Sequence, residues 1–187
     1  MKIIPTALKE VLLIVPDVFK DQRGFFLESY QAQKYRDAGL PAIFVQDNHS
    51  QSVQGTLRGL HAQLKKAQGK LVRVIHGEIF DVAVDARPGS STYGKWIGER
   101  LSDENFHQLY IPPGFLHGFY VMSPQAEVEY KCSDYYDPKD EVGVVWDDPG
   151  LAIQWPVKEP LFLSEKDRKL PTFADAASQF EHYRQYL

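Results

Sequence analysis

Three side chains in this sequence have the chemistry to move a proton between them. His61, in LRGLHAQL, carries an imidazole with an unperturbed pKa of about 6.5 and can act as a base near neutrality; Tyr130, in VEYKC, has a phenol of pKa about 10 that can return a proton to a carbanion or enolate. Asp167, in LSEKD, is the kind of group that fixes the tautomer of an imidazole bonded to it and stabilises the protonated ring. Each residue also has a plainer reading. A lone histidine in an apolar strand is usually a satisfied core residue, and Tyr130 could simply pack. Ser164-Glu-Lys-Asp167 also fits a capping box that opens a helix. No activated serine or cysteine nucleophile is evident.

A second set of residues points to an anion. Arg23 in DQRGFF, Arg58 in TLRGLH and Lys70 in AQGKLV each stand beside glycine next to an apolar run. Singly, each is best read as a solvated surface charge. Together with His117, in YIPPGFLHGF, they suggest an anion pocket, because glycine lets backbone and ligand approach, arginine offers a planar fork for phosphate and lysine a compact charge. The Gly-x-x-His end of that stretch also resembles the second metal motif of cupin barrels. The first such motif needs His-x-His followed closely by Glu, so that three or four ligands converge on one ion. This chain has no His-x-His, and only His61 stands where that motif should fall. A metal is therefore disfavoured.

The elements that must position these groups follow from composition and pattern. With 187 residues, 43% of them hydrophobic, the chain suits one substantial core, and we expect a single domain spanning 1–187. A net charge of -4 and a pI near 5.9 argue against a general nucleic-acid or membrane-surface binder, which would need a basic face. Cys132 is the only cysteine, so no intrachain disulfide is possible. The first 21 residues make a poor signal peptide, and no run approaches the roughly 20 apolar residues that span a bilayer. The expected location is the cytoplasm.

Short apolar runs separated by Gly, Pro, Asn and Asp, with 13% aromatic residues, predict an all-β sandwich or barrel with small helical additions. KLVRVIHGEIFDVAVD, from Lys70 to Asp85, reads as a hairpin turning at His76-Gly77-Glu78. Further strands are expected at Ala42–Gln46, Trp96–Leu101, Gln108–Ile111, Gly118–Met122, Glu127–Ser133 and Leu151–Trp155, and barrel closure is favoured over an open sheet. Helical patterning covers Glu28 to Ala38, ended by Gly39, and recurs after Ser164.

Taken in order, DQRGFFLESY (21–30), FVQDNHSQS (44–52), GTLRGLHAQ (55–63), QGKLVRVIHGEIFDVAVDAR (68–87), YIPPGFLHGF (110–119), EYKCSDYYDP (129–138) and LSEKD (163–167) resemble the dTDP-4-dehydrorhamnose 3,5-epimerases, a nucleotide-sugar branch of the cupins. The resemblance covers nearly the whole chain. It implies a cupin-type jelly-roll β barrel or sandwich with short peripheral helices. It also implies a homodimer with an exchanged N-terminal segment, C-terminal helices packed on the barrel, and neither metal nor cofactor. The implied reaction converts dTDP-4-dehydro-6-deoxy-D-glucose to dTDP-4-dehydro-L-rhamnose by inversion at C3 and C5. By motif, His61 resembles the base, Asp167 its orienting carboxylate, Tyr130 the acid and Lys70 the group facing the enolate oxygen. Arg23, Glu28, Gln46, Asp47, Asn48, Arg58, His117, Glu141 and Lys166 match substrate-binding positions. Alternatives left open are an epimerase acting at one carbon, a ketoisomerase, and a metal-dependent or sugar-binding cupin.

Overall fold

A computed structural model describes residues 1–40, 43–158 and 161–187. The chain begins with β1 (Lys2–Pro5), β2 (Leu12–Val15) and an exposed hairpin, β3 (Val18–Asp21) with β4 (Gly24–Leu27), then α1 (Ala32–Asp37). There follow β5 (Gln46–Val53), β6 (Leu57–Gln63), β7 (Lys70–His76), β8 (Glu78–Asp85), β9 (Trp96–Ser102), β10 (Gln108–Ile111), β11 (Phe115–Val121), β12 (Gln125–Cys132) and β13 (Glu141–Gly143). Among the described residues these strands make a six-stranded sheet, ordered β1-β2-β10-β7-β12-β5, and a five-stranded sheet, ordered β13-β6-β11-β8-β9, with antiparallel neighbours.

The all-β class is as the sequence predicts. Closure is not. The two sheets are not hydrogen-bonded to each other and form an open sandwich, whose inner core mixes Val72, Val74 and Val128 of one sheet with Ile79, Ile97, Phe115 and Val121 of the other. Burying both sets of inner side chains against each other removes apolar surface from water without backbone closure.

The Lys70–Asp85 segment shows why pairing is hard to read locally. Both strands form and Gly77 makes the turn at φ +82, but β7 pairs with β10 and β12 whereas β8 pairs with β9 and β11. The expected hairpin is instead an arch between sheets. An ideal Cβ on Gly77 would sit 2.1 Å from the Gln125 carbonyl oxygen, so this arch admits no larger residue. The Leu151–Trp155 segment is irregular rather than a strand, although Leu151, Ile153 and Trp155 still pack on the outer face of the five-stranded sheet. Alternating apolar side chains satisfy that packing without a ladder partner. The strand expected at Ala42–Gln46 begins at Gln46, and Ala42 lies outside the described residues. The first helix is shorter than its pattern because the Gln31 side chain caps it, accepting from the Lys34 amide at 2.6 Å.

The C-terminal segment crosses that outer face as a 3-10 turn (Asp167–Lys169), α2 (Phe173–Ala176) and a second 3-10 stretch (Gln179–Tyr186), burying Ala176, Phe180 and Tyr183. Arg87 anchors it. This guanidinium, 3% exposed, donates to both oxygens of fully buried Asp85 at 2.9 and 2.8 Å, to the Tyr186 carbonyl at 3.1 Å and to Glu10. It also lies 4.5 Å above the Phe115 ring. Burial alone would raise the Asp85 pKa, but hydrogen bonds from Arg87, Ser90 and Thr92 outweigh it and hold the carboxyl below its ordinary range.

Replacing one member of such a buried pair strands the other, so Arg87→Leu should cost about 3–5 kcal/mol at pH 7, measured from urea unfolding. Because Asp85 has a depressed folded pKa, its contribution is present above the unfolded carboxylate value of about 4 and is lost as pH falls through the folded value. The stability difference between wild type and variant should therefore shrink in acid.

Candidate active site

Strand parity selects the residues that face the space between the sheets. On β6, Leu60 and Ala62 pack outward, which turns His61 and Gln63 towards a cavity of about 550 Å³ that both line; Arg58, of the same parity as Leu60, also lines it, because the ladder with β11 shifts register between His61 and Arg58. On β11, Leu116 packs outward and Phe115 inward, and His117 lines the cavity directly across the ladder from His61. The two strands approach unusually closely beside these histidines. A Cβ on Gly59 would lie 2.5 Å from the Gly118 Cα, and one on Gly118 would lie 2.7 Å from the Arg58 carbonyl oxygen.

His61 Nε2 lies 2.6 Å from Asp167 Oδ1. An ionised carboxylate only accepts, so Nε2 carries the proton and Nδ1 keeps the lone pair. Burial pushes the Asp167 pKa up, but the His61 hydrogen bond and charge, with hydrogen bonds from Ser164 and the Gly59 amide, outweigh it and keep the carboxyl low. Half of the capping box forms: Ser164 Oγ accepts from the Asp167 amide at 3.0 Å. The Asp167 side chain, which would complete that box, bonds His61 instead.

The opposite sheet contributes Lys70 from β7, Tyr130 from β12, and Gln46, Asn48 and Ser50 from alternate positions of β5. Burial lowers the Lys70 pKa, opposed by the nearby Cys132, Asp81 and Glu141. Burial likewise raises the Tyr130 phenol, so the group holds its proton at neutral pH. Near the rim, Glu141 is bonded by Lys166 and, at 2.5 Å, by the Tyr136 hydroxyl, and lies 3.9 Å from His61. Arg58 Nε donates to Ser52 Oγ at 3.1 Å. The arrangement therefore places an imidazole, bonded to a carboxylate from the C-terminal 3-10 turn, on one sheet and a phenol and an amine on the other.

Ten of the thirteen residues singled out in the sequence line this cavity or buttress it directly: His61, Tyr130, Asp167, Lys70, Gln46, Asn48, Arg58, His117, Glu141 and Lys166. Asp47 does not, because β5 alternation turns it to the outer face, where Lys131 donates to it at 3.0 Å. Arg23 and Glu28 do not line it either, Arg23 being paired with Asp21 at 2.6 Å near the β3–β4 turn and Glu28 with Lys34 at 2.7 Å. Ser50, Tyr136 and Phe162, not among the residues expected from the sequence, also line the cavity, and Asp81, likewise unexpected, bonds His117 from behind. Ser50 had a legible signal in the polar alternation Gln46, Asn48, Ser50. Among the described residues, no group of three or more His, Cys, Asp or Glu side chains is placed to hold a metal ion.

Residues 5–175 match the family model for dTDP-4-dehydrorhamnose 3,5-epimerase. The chain belongs to that epimerase family. A dTDP-4-dehydrorhamnose 3,5-epimerase of Pseudomonas aeruginosa is 55% identical over 177 residues, covering 94% of this chain and 98% of the relative. The Legionella pneumophila dTDP-6-deoxy-D-glucose-3,5-epimerase, solved in complex with dTDP-4-keto-L-rhamnose, superposes with a TM-score of 0.94 at 49% identity, covering 96% of each chain. A more distant relative from Streptomyces niveus, 40% identical over 94% of this chain and 86% of its own, is a dTDP-4-dehydrorhamnose 3-epimerase.

For this epimerase-family chain the glycine contact between β6 and β11 is a direct test of positioning. Gly118→Ala must push β6 away or fail to pack, costing about 1–3 kcal/mol in urea unfolding and displacing both histidines. Catalytic turnover should fall more than tenfold even where the variant is fully folded; unchanged turnover would show that the close approach does not set the site.

Proposed function

We propose that this chain epimerises dTDP-4-dehydro-6-deoxy-D-glucose at C3 and C5, giving dTDP-4-dehydro-L-rhamnose for dTDP-L-rhamnose and so for rhamnose-containing polysaccharide. The observation that carries the reading is the placement of His61, bonded to Asp167 of the C-terminal 3-10 turn, on one sheet and Tyr130 on the other, all lining one cavity. Inversion needs a base on one face of the sugar and an acid on the opposite face. The C4 ketone acidifies the protons on C3 and C5 and is itself the electron sink, so the steps call for no cofactor.

In this scheme His61 Nδ1 removes the proton and Asp167 stabilises the imidazolium that forms. Negative charge moves to the C4 oxygen, where the Lys70 ammonium stabilises it. A charge of this kind, held in a dry site, is worth roughly 3 kcal/mol of barrier. Tyr130 then delivers its proton from the far side, which its raised pKa equips it to hold until an enolate is present. Arg58 suits the diphosphate, and Gln46, Asn48, Glu141 and Lys166 suit the remaining polar atoms of the nucleotide sugar. A nucleotide-sugar substrate fits the cytoplasmic location expected from the sequence.

A second reading, inversion at C3 alone, is favoured by the Streptomyces relative. Incubation with the dTDP-4-keto-6-deoxy sugar in deuterium oxide separates the two: we expect deuterium at both C3 and C5, read by NMR of the product. Label at one carbon would establish the single-centre reaction, and label at neither would reject both. His61→Ala should reduce exchange at least a thousandfold, whereas Tyr130→Phe should lose net inversion while retaining more of the first exchange.

We further propose that a homodimer completes the site, with the N-terminal segment exchanged so that Arg23 and Glu28 of one copy reach the cavity of the other. The motivation is their absence from the lining of their own cavity and the exposure of Phe19, Phe25 and Phe26 on the hairpin that carries Arg23 and precedes Glu28, an apolar surface of the kind that marks an interface. If so, mixing inactive Arg23→Ala with inactive His61→Ala protein should regenerate up to about a quarter of wild-type activity as subunits exchange, since one site in the hybrid dimer then carries both native residues. No recovery despite proven exchange would place both residues in one subunit's site.

A further inference from the structure

We propose that Asp81 is a positioning residue for the proton-transfer site: through His117 Nε2–H it fixes that ring's tautomer and orientation, leaving Nδ1 to serve the reacting end of the sugar. The inference deepens the reading above and rests on it for the identity of the ligand.

Asp81 lies on β8, beside β11, and is fully buried. Its Oδ1 is 2.7 Å from His117 Nε2. An ionised carboxylate has no proton to give, so Nε2 must donate, and Nδ1 is the nitrogen left for a ligand: an acceptor in the neutral ring, a donor in the charged one. His117 lines the cavity, and its ring centroid is 6.5 Å from that of Tyr130. That proximity places it at the sugar end, where charge develops.

Packing alone does not account for a carboxylate here. The inward side chains around it, Ile79, Ala83, Phe119 and Val121, are apolar members of the inter-sheet core. Among the described residues Asp81 Oδ2 has no hydrogen-bond partner, an expensive condition for a buried acceptor that an apolar side chain of similar size would avoid. What an apolar residue would not supply is negative charge beside His117 and within the electrostatic reach of Lys70, which feels it. Across the ladder His61 and His117 are register partners, and each has its own carboxylate, Asp167 or Asp81. The first pair moves the proton. The second, supplied by a neighbouring strand and not by a terminal turn, holds a donor or acceptor rigidly while that happens.

Asp81→Asn keeps size and an acceptor oxygen but removes the charge, and its amide can turn either atom to the ring. In full-length protein labelled with 15N-histidine, free of ligand, wild-type His117 should show one tautomer protonated at Nε2, and Asp81→Asn a mixture. With the dTDP-4-keto-6-deoxy sugar, kcat of Asp81→Asn should fall at least tenfold while KM moves less than threefold. His117→Asn should fall comparably, and the double variant should be no worse than His117→Asn alone, because Asp81 acts through His117. Additive losses, an unaltered kcat, or a change confined to KM would overturn the proposal. So would a wild-type His117 protonated at Nδ1, a result that needs no folded variant. If wild-type protein leaves the sugar unexchanged in deuterium oxide, the proposed reaction fails, while the ligand-free tautomer spectra still decide whether Asp81 holds His117.

Discussion

Period-two alternation in strands covered on both faces is the constraint on which this structure depends. β8 lies between the inter-sheet core and the C-terminal cover, so Phe80, Val82 and Val84 pack outward while Asp81, Ala83 and Asp85 point inward. The same parity turns Leu60 and Ala62 of β6 to the cover and His61 to the cavity. Site and core are therefore not separate regions. They are alternate residues of the same strands, and a one-residue slip of β6 or β11 would exchange a histidine for a leucine.

Charge inside such a sandwich has to be matched, and the matching is also the chemistry. Asp167 stays ionised despite burial because His61 and two further donors satisfy it, and that ionised carboxylate makes Nδ1 the free base of the ring. Lys70 and Tyr130 feel the opposite pressure: burial drives the lysine towards losing its proton and the phenol towards keeping its own. In the proposed reaction, an enolate forming between them would relieve both, since it would offer the lysine an anion and the phenol a proton acceptor. Buried groups poised in this way respond most strongly at the step where negative charge appears. Away from the cavity, the Asp85–Arg87 pair shows the same physics used for structure, joining β8, the N-terminal loop and the chain's end through one guanidinium.

The family resemblance was legible because its residues lie in ordered local motifs, such as GTLRGLHAQ and YIPPGFLHGF, which need no knowledge of pairing. Strand content was legible for a similar reason: the strands expected at Gln108–Ile111 and Trp96–Leu101 are marked by the turn residues that bound them, and form at Gln108–Ile111 and Trp96–Ser102. Pairing was not. Nothing local in KLVRVIHGEIFDVAVD distinguishes a hairpin from an arch, since the same turn and alternation serve both, and the choice is made by β10, β11 and β12, which follow at least twenty residues later. The apolar alternation of Leu151–Trp155 likewise signalled burial correctly and hydrogen bonding wrongly.

By itself the sequence determined the all-β class, the family, and the kinds of group available to move a proton, because these depend on residue type and local order. Only the tertiary structure decided which of them meet. It set Asp167 against His61 across 106 residues of chain, turned Asp47 away from the cavity that takes Gln46 and Asn48, kept Arg23 and Glu28 outside it, and placed Asp81 behind His117. The physical reason is that hydrogen bonds and Coulomb forces act over a few ångströms of space, while separation along the chain says little about distance once strands from two sheets are packed face to face.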